Sequence, residues 1–199
     1  MKIGIYGGSF DPPHKGHRLL AENLAEYCGA DKVLIIPTAV SPFKSSVSAS
    51  SEERLEMCRL NFDSSLYTVL DIEISRGGKS YTIDTVRQIK EMYPDDELYL
   101  FMGEDMLLFF DRWYRYKDIL SLCTIVCGCR TRDRARLDEM RAFAEKSLSE
   151  YNENVLICNA QPFEVSSTDI RTSVDKAEEL LQKDVYRFIK SRGLYDEQK

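Results

Sequence analysis

Histidine is scarce in this chain: there are two in 199 residues, His14 and His17. Tryptophan occurs once, as Trp113. No thiol has a histidine neighbour and no C-x-x-C is present, so the cluster Cys123, Cys127, Cys129 reads as small apolar residues of a buried strand rather than as metal ligands. No apolar run approaches the ~20 residues of a membrane span. The opening MKIGIYGG is too short and too glycine-rich for a signal segment, so a cytoplasmic chain without a membrane partner is expected. An excess of basic residues is also missing. The formal net charge is -6, which disfavours nucleic acid as the main partner. Small anionic ligands stay open, because they respond to local charge and backbone dipoles. Two phosphate-binding fingerprints, G-x-G-x-x-G and G-x-x-x-x-G-K-[ST], are absent. So are internal repeats and biased segments, apart from the serine-rich SPFKSSVSASS at 41–51.

What is present reads as one α/β domain over 1–199. Six cysteines scattered through apolar segments imply reduced thiols. KIGIYG (2–7) reads as a buried strand, followed by a helix from Gly16 to Cys28 with Gly29 as its stop. KVLIIP is a second strand, and Ser50 with Glu53 forms a capping box for a helix over 51–62. YTVLDIEI (67–74) alternates like a third strand. A helix from Thr82 to Met92, the strand ELYLFMG, short helices over 104–122 and the strand TIVCGC follow. An amphipathic helix over 134–151, the strand NVLIC and a helical C-terminal part from about 166 complete the order. Alternation of this kind implies an α/β fold: a mostly parallel sheet with helices on both faces. Ligands of such sheets bind at the carboxyl ends of the strands.

Both histidines fall at that place, in GSFDPPHKGH (8–17). Gly7 and Gly8 allow a sharp turn and close approach to a ligand. Pro12 and Pro13 stiffen the loop. A helix opening near Gly16 offers amides and a dipole that favour phosphate. A spacing of three puts His14 and His17 on one side of its first turn, where two imidazoles can donate to phosphate oxygens.

The decapeptide resembles the signature of the bacterial nicotinate mononucleotide adenylyltransferases, within the H-x-G-H nucleotidyltransferases. The likeness runs through most of the chain. PTAVSPFK (37–44), ISRGGKSYTIDT (74–85), MGEDMLLFFDRW (102–113), VSSTDIR (165–171) and VYRFIKSRGLY (185–195) each resemble a family segment. It departs from the family where Phe43 stands for a histidine before Lys44, and where CRTRD replaces R-P-G-Y.

The resemblance implies a Rossmann-like, doubly wound fold and transfer of AMP from ATP to nicotinate mononucleotide, with pyrophosphate leaving. It implies Mg²⁺ held by ATP phosphates and water, no protein metal cage, and no covalent intermediate. His14, His17 and Arg171 would be the catalytic set, with Arg171 at the start of a helix capped by Ser167 or Thr168. Gly7, Gly8, Ser9, Phe10, Gly103, Asp105, Ser167, Thr168 and Ile170 would border ATP. Lys44, Thr82, Asp84, Thr85, Trp113 and Arg130 would bind the mononucleotide, with Arg132 a substitute for Arg130. Trp113 would stack on the pyridine ring, unless it is an ordinary core aromatic. A homo-oligomer is compatible with the sequence. The rivals are a phosphopantetheine adenylyltransferase, a non-catalytic nucleotide sensor and an RNA-related module similar to the H-I-G-H part of class I tRNA synthetases. The His14 position, SYTIDT and Trp113 favour the nicotinate reading over the first of these.

Overall fold

The computed structural model describes residues 1–40, 48–129, 134–148, 154–159 and 165–195. Six strands form one sheet: β1 (Lys2–Gly8), β2 (Lys32–Pro37), β3 (Tyr67–Val69), β4 (Glu97–Gly103), β5 (Thr124–Cys129) and β6 (Val155–Asn159). Every neighbouring pair is parallel, in the order β3-β2-β1-β4-β5-β6. The order reverses between β1 and β4, which is where a doubly wound sheet opens a ligand crevice.

The period-2 pattern of the strands builds two apolar layers. Ile3, Ile5, Leu34, Ile36, Leu98, Leu100, Ile125 and Cys127 face one side, with Ile83, Val86 and Ile89 packed there. Tyr6, Val33, Ile35, Tyr99, Phe101 and Val126 face the other, against Leu20, Ala21 and Leu24. The carrier helices are α1 (Lys15–Cys28), α2 (Ser51–Asn61), α3 (Ile72–Arg76), α4 (Thr82–Met92), α5 (Glu104–Leu107), α6 (Tyr116–Leu122), α7 (Arg134–Ser147), α8 (Ser167–Thr172) and α9 (Lys183–Arg192), with 3-10 turns at Phe110–Arg112 and Val174–Leu180. Gly29 ends α1 at φ 68, as its sequence position predicts. The Ser50–Glu53 capping box forms in both directions. A third apolar cluster joins Ala49 and Met57 to Val165, Ile170, Val174, Val185 and Ile189, and so seats the C-terminal helices against α2.

The third strand is shorter than its sequence pattern suggests. Among the described residues it pairs only with β2, through Val33–Ile35, and lies at the sheet edge. Past Leu70, whose amide donates to Ile35 O at 2.9 Å, the chain turns into α3 instead. That turn buries Glu73, which an extended continuation would leave on one face of an unpaired edge. Helix α7 ends at Ser147, and the rest of the stretch expected to be helical lies outside the described residues. All six cysteines are buried and none is in a disulfide. Among the described residues no helix is long and apolar enough to cross a membrane.

Candidate active site

The carboxyl end of β1 runs straight into the decapeptide. The backbone bends at Phe10, whose φ is 47, and the Asp11–Pro12 peptide is cis. Gly7 and Gly8 end the strand without entering the left-handed region, so the turn expected of them is made two residues later. Their lack of a side chain still matters. A Cβ on Gly8 would stand 3.1 Å from the Phe10 ring. A Cβ on exposed Gly7 would meet nothing nearer than Ile36 O at 3.9 Å, so the protein's own packing does not require glycine there.

The two histidines cap each other. His14 is the N-cap of α1 and His17 its N3 residue. The His14 amide donates to His17 Nδ1 at 3.2 Å, and the His17 amide donates to His14 Nδ1 at 3.3 Å. The job usually done by serine and glutamate is done here by two imidazoles. A nitrogen that accepts carries no hydrogen, so a neutral ring in this arrangement carries its hydrogen on Nε2. The rings lie 3.7 Å apart, centroid to centroid, and His17 rests edge-on over Phe10 at 5.1 Å. For neutral rings the arrangement therefore selects the Nε2–H tautomer at a helix amino end, and His14 is 3% exposed.

Asp11 ties this loop to distant chain. It is 4% exposed. Its Oδ2 accepts from the Ser48 amide at 2.8 Å, and its Oδ1 accepts from the Ala49 amide at 3.0 Å and from the Tyr195 hydroxyl at 2.8 Å. Its carbonyl accepts from Arg171 Nη1 at 2.7 Å. Thr168 Oγ1 takes Arg171 Nη2 at 3.1 Å, and Ser167 Oγ donates to Pro12 O at 2.8 Å. Helix α8 is thus tied to the decapeptide by two of its side chains. Arg54 works from below: fully buried, it donates to Ser9 O and Thr38 O, each at 2.7 Å. These carbonyls lie just past the carboxyl ends of β1 and β2. Burial pulls the Arg54 guanidinium below its usual pKa, and the Asp11 charge opposes that.

The other end of the crevice is built around α4. Its N-cap, Tyr81, makes no side-chain cap, and the Asp84 amide of the first turn donates to Tyr81 O at 3.1 Å. The Tyr81 ring packs on Tyr114 at 5.0 Å, which brings the 110–114 turn and Trp113 to the amino end of α4. Trp113 is half-buried and lies 5.2 Å from Phe110. Thr85 Oγ1 donates to Glu73 Oε1 at 2.6 Å and accepts from Arg76 Nη2 at 2.9 Å. Burial pushes the Glu73 carboxyl above its usual pKa, while Thr85, Ser80 and Arg76 pull the other way. The Ala39 amide donates to Ser80 Oγ at 3.0 Å, fastening the exit of β2 to the entry of α4.

Two sets of known proteins resemble this molecule. Residues 5–173 match the cytidylyltransferase-like family model. A "Probable nicotinate-nucleotide adenylyltransferase" of Listeria welshimeri is 33% identical over 196 residues, 98% of this chain and 97% of that protein. Its namesake in Aquifex aeolicus is 35% identical over 172 residues, 85% of this chain and all of that one. The chain belongs to the nicotinate-nucleotide adenylyltransferase family. A solved Plasmodium falciparum nicotinic acid mononucleotide adenylyltransferase complexed with NaAD shares the fold, with a TM-score of 0.75 over 99% of this chain and 98% of that one. At 18% identity that likeness concerns the fold alone.

For this nicotinate-nucleotide adenylyltransferase family member, the placements refine the sequence reading. Phe10 (2% exposed) and Ile170 (0%) put their side chains in the core, so only their backbone can border a ligand. Thr85 is 2% exposed and its hydroxyl is taken by Glu73 and Arg76. Thr82 and Asp84 are half-buried in the first turn of α4. Helix α8 is capped by Ser166, which accepts from the Asp169 amide at 3.1 Å, not by Ser167 or Thr168. Arg171 lies in the last turn of α8, not at its start. Gly103 is the N-cap of α5. Asp105 is 62% exposed and pairs with Arg136 of α7 at 3.4 Å. Lys44, Arg130 and Arg132 lie outside the described residues.

Three residues of this site escaped the sequence reading: Asp11, Arg54 and Tyr195. Arg54 had a signal. With Met57, Cys58 and Asn61 it makes an i, i+3, i+4, i+7 stripe, and all four are buried. Asp11 stands between a positive-φ turn and two prolines, a place where aspartate commonly binds nearby amides. Tyr195 had none.

Proposed function

We propose that the chain transfers the AMP part of ATP to nicotinate mononucleotide, giving nicotinate adenine dinucleotide and pyrophosphate in NAD biosynthesis. An oxygen of the mononucleotide 5′-phosphate attacks the α-phosphorus of ATP. The new P–O bond forms as the bond to the β-phosphate oxygen breaks, and the electron pair leaves with pyrophosphate. The acceptor is itself the nucleophile, so the chain supplies position and charge rather than a covalent intermediate.

The observation that carries this reading is the reciprocal His14–His17 cap. It leaves Nε2 of each neutral ring as the N–H donor at the amino end of α1, and the Asp11 carbonyl of the same loop holds the Arg171 guanidinium. Charge that develops on the α-phosphate is stabilised there without reorganisation of the donors. In this reading Arg171 receives the β- and γ-phosphates. Gly7, Gly8 and Ser9 give the backbone surface beneath them, and Ser167, Thr168 and the Ile170 backbone border the adenine. Gly103 allows close approach near the ribose, and Asp105, exposed beside Arg136, bonds its hydroxyls. The nicotinate carboxylate sits at the amino end of α4, at Thr82 and Asp84, with the ring on Trp113. Lys44 and Arg130 are assigned to the mononucleotide phosphate, with Arg132 in reserve. ATP arrives as its Mg²⁺ complex. Both oxygens of Asp11 are engaged in the protein, and the ion would be held mainly by phosphates and water and would neutralise charge on the triphosphate. Six buried cysteines outside any disulfide agree with a reducing, cytoplasmic setting.

Pyrophosphate release from purified protein with ATP tests the reading. Nicotinate mononucleotide should support turnover and phosphopantetheine should not. Turnover only with phosphopantetheine, or ATP binding without turnover on either acceptor, would overturn it in favour of the rivals.

A further inference from the structure

The chain returns to the decapeptide from 184 residues away. Tyr195 follows α9 and its left-handed cap, Gly193 (φ 59). The Leu194 amide closes that turn on Ile189 O at 3.1 Å. Tyr195 itself sits at φ 63, a conformation that a bulky side chain adopts only when its surroundings impose it. Two things impose it. Its ring packs on the third apolar cluster, and its hydroxyl donates to Asp11 Oδ1 at 2.8 Å. Burial and the Asp11 carboxylate push the phenol far above its usual pKa, so it remains a donor.

Asp11 is the next link. Its Oδ2 lies 3.8 Å from Arg171 Nη1, while its carbonyl accepts from that same nitrogen at 2.7 Å. A shift of Asp11 therefore moves Arg171 relative to His14, which lies three residues along the loop. We infer that Tyr195 is a positioning residue of the ATP half of the site: through Asp11 it sets the distance between Arg171 and the histidine pair. It touches no substrate. Its effect is on how well Arg171 and the histidines grip one triphosphate together, a matter of geometry to which rates and affinities are steeply sensitive. The inference rests on the proposed placement of ATP.

Tyr195→Phe removes one oxygen and leaves the ring. Calorimetry with ATP alone should show affinity weakened about tenfold, the loss of one hydrogen bond to a charged group. The KM for nicotinate mononucleotide should stay within about twofold, because α4 and Trp113 make no part of this chain of contacts. A double-mutant cycle supplies the decisive measurement. In an Arg171→Ala background, Tyr195→Phe should cost less than about twofold in ATP affinity, since the group it positions is gone. Full additivity of the two losses would overturn the inference. So would a folded Tyr195→Phe protein with unchanged ATP affinity, or with equal losses for both substrates, which marks mere destabilisation. Should Tyr195→Phe not fold, Asp11→Asn takes its place, with the same ATP-selective loss expected. ATP binding is read without an acceptor. A failure of the nicotinate reading would therefore appear as absent turnover, while the cycle still reports on Tyr195.

Discussion

The two ends of the crevice are each organised by a buried carboxylate, and the carboxylates are used differently. Asp11 accepts from residues 37, 38 and 184 positions away, and its carbonyl receives an arginine from 160 positions away. Glu73 accepts from Thr85, only 12 positions on, and the arginine on that threonine is Arg76 of the same turn. The first end is assembled by the whole fold. The second is shorter in range: α3 and α4 meet through Thr85, α4 docks on the sheet by Ile83, Val86 and Ile89, and Ser80 and Tyr81 tie its start to Ala39 and Tyr114. The difference suggests separable duties. On the proposed placement, the end that would hold a triphosphate in line for attack is cross-tied over the full chain, and the end that would recognise the acceptor is held by contacts of shorter range.

The sharpest test of that contrast is His17→Ala. It removes an Nε2–H donor and one half of the reciprocal cap together. Turnover should fall about 10²–10³-fold, as for loss of one oxyanion donor. The bond lost with it, from the His14 amide to His17 Nδ1, should cost about 0.5–1.5 kcal/mol of stability. Thermal melting and pyrophosphate release from the same preparation separate the two. A soluble variant with near wild-type turnover would remove the histidines from the mechanism.

Arg171→Ala comes next and probes whether the two ends are independent. Arg171 is bound to Asp11 and Thr168 and to nothing on α4. ATP affinity should drop about 10–100-fold, the range for hydrogen bonds to a charged group. Affinity for nicotinate mononucleotide, titrated separately, should barely change. Equal losses for both ligands would show that the crevice responds as one body and would break the comparison.

The same contrast decides what could be read from sequence. The succession of strands and helices along the chain is local, and local patterns carry it: Thr82–Met92 forms over the span that its polar start and Pro94 mark out. The histidine pair is legible because a spacing of three in a first turn is a helical statement. Asp11 with Tyr195, and Arg54 with Ser9, are contacts between remote segments. No period or motif in the sequence joins them. The short β3 departs from its sequence pattern for a related reason. Alternation describes a face, and whether a strand continues depends on a neighbour to pair with, which the sheet edge lacks.

Trp113→Ala addresses the acceptor end alone. Stacking on an aromatic base is worth roughly 1–3 kcal/mol, so the KM for nicotinate mononucleotide should rise about tenfold and that for ATP much less. As the single tryptophan, it should also be quenched by saturating mononucleotide and little by ATP. Unchanged emission together with unchanged affinity would leave Trp113 as a partner of Phe110 in the core and nothing more.

Glu73→Gln should have the smallest effect and the most particular one. Burial raises the Glu73 pKa from its ordinary 4.5, so the folded protein takes up this proton more readily than the unfolded chain does. Stability then falls as pH rises from the ordinary value through the raised one, because the folded state must surrender a proton it holds more tightly. Glutamine cannot titrate. It keeps the shape and still accepts from the Thr85 hydroxyl, so α3 and α4 stay together. The slope of melting temperature against pH should therefore flatten in Glu73→Gln just above pH 4.5, with the variant gaining on the wild type as pH rises. Acceptor affinity should change by no more than about threefold, the weight of one altered hydrogen bond. ATP affinity should not change at all, since Asp11 and not Glu73 governs that end. Parallel melting curves across the acid range would mean that Arg76 and Thr85 offset the burial of Glu73 completely. A loss of ATP affinity would mean that the acceptor end is not the independent unit that its local contacts make it.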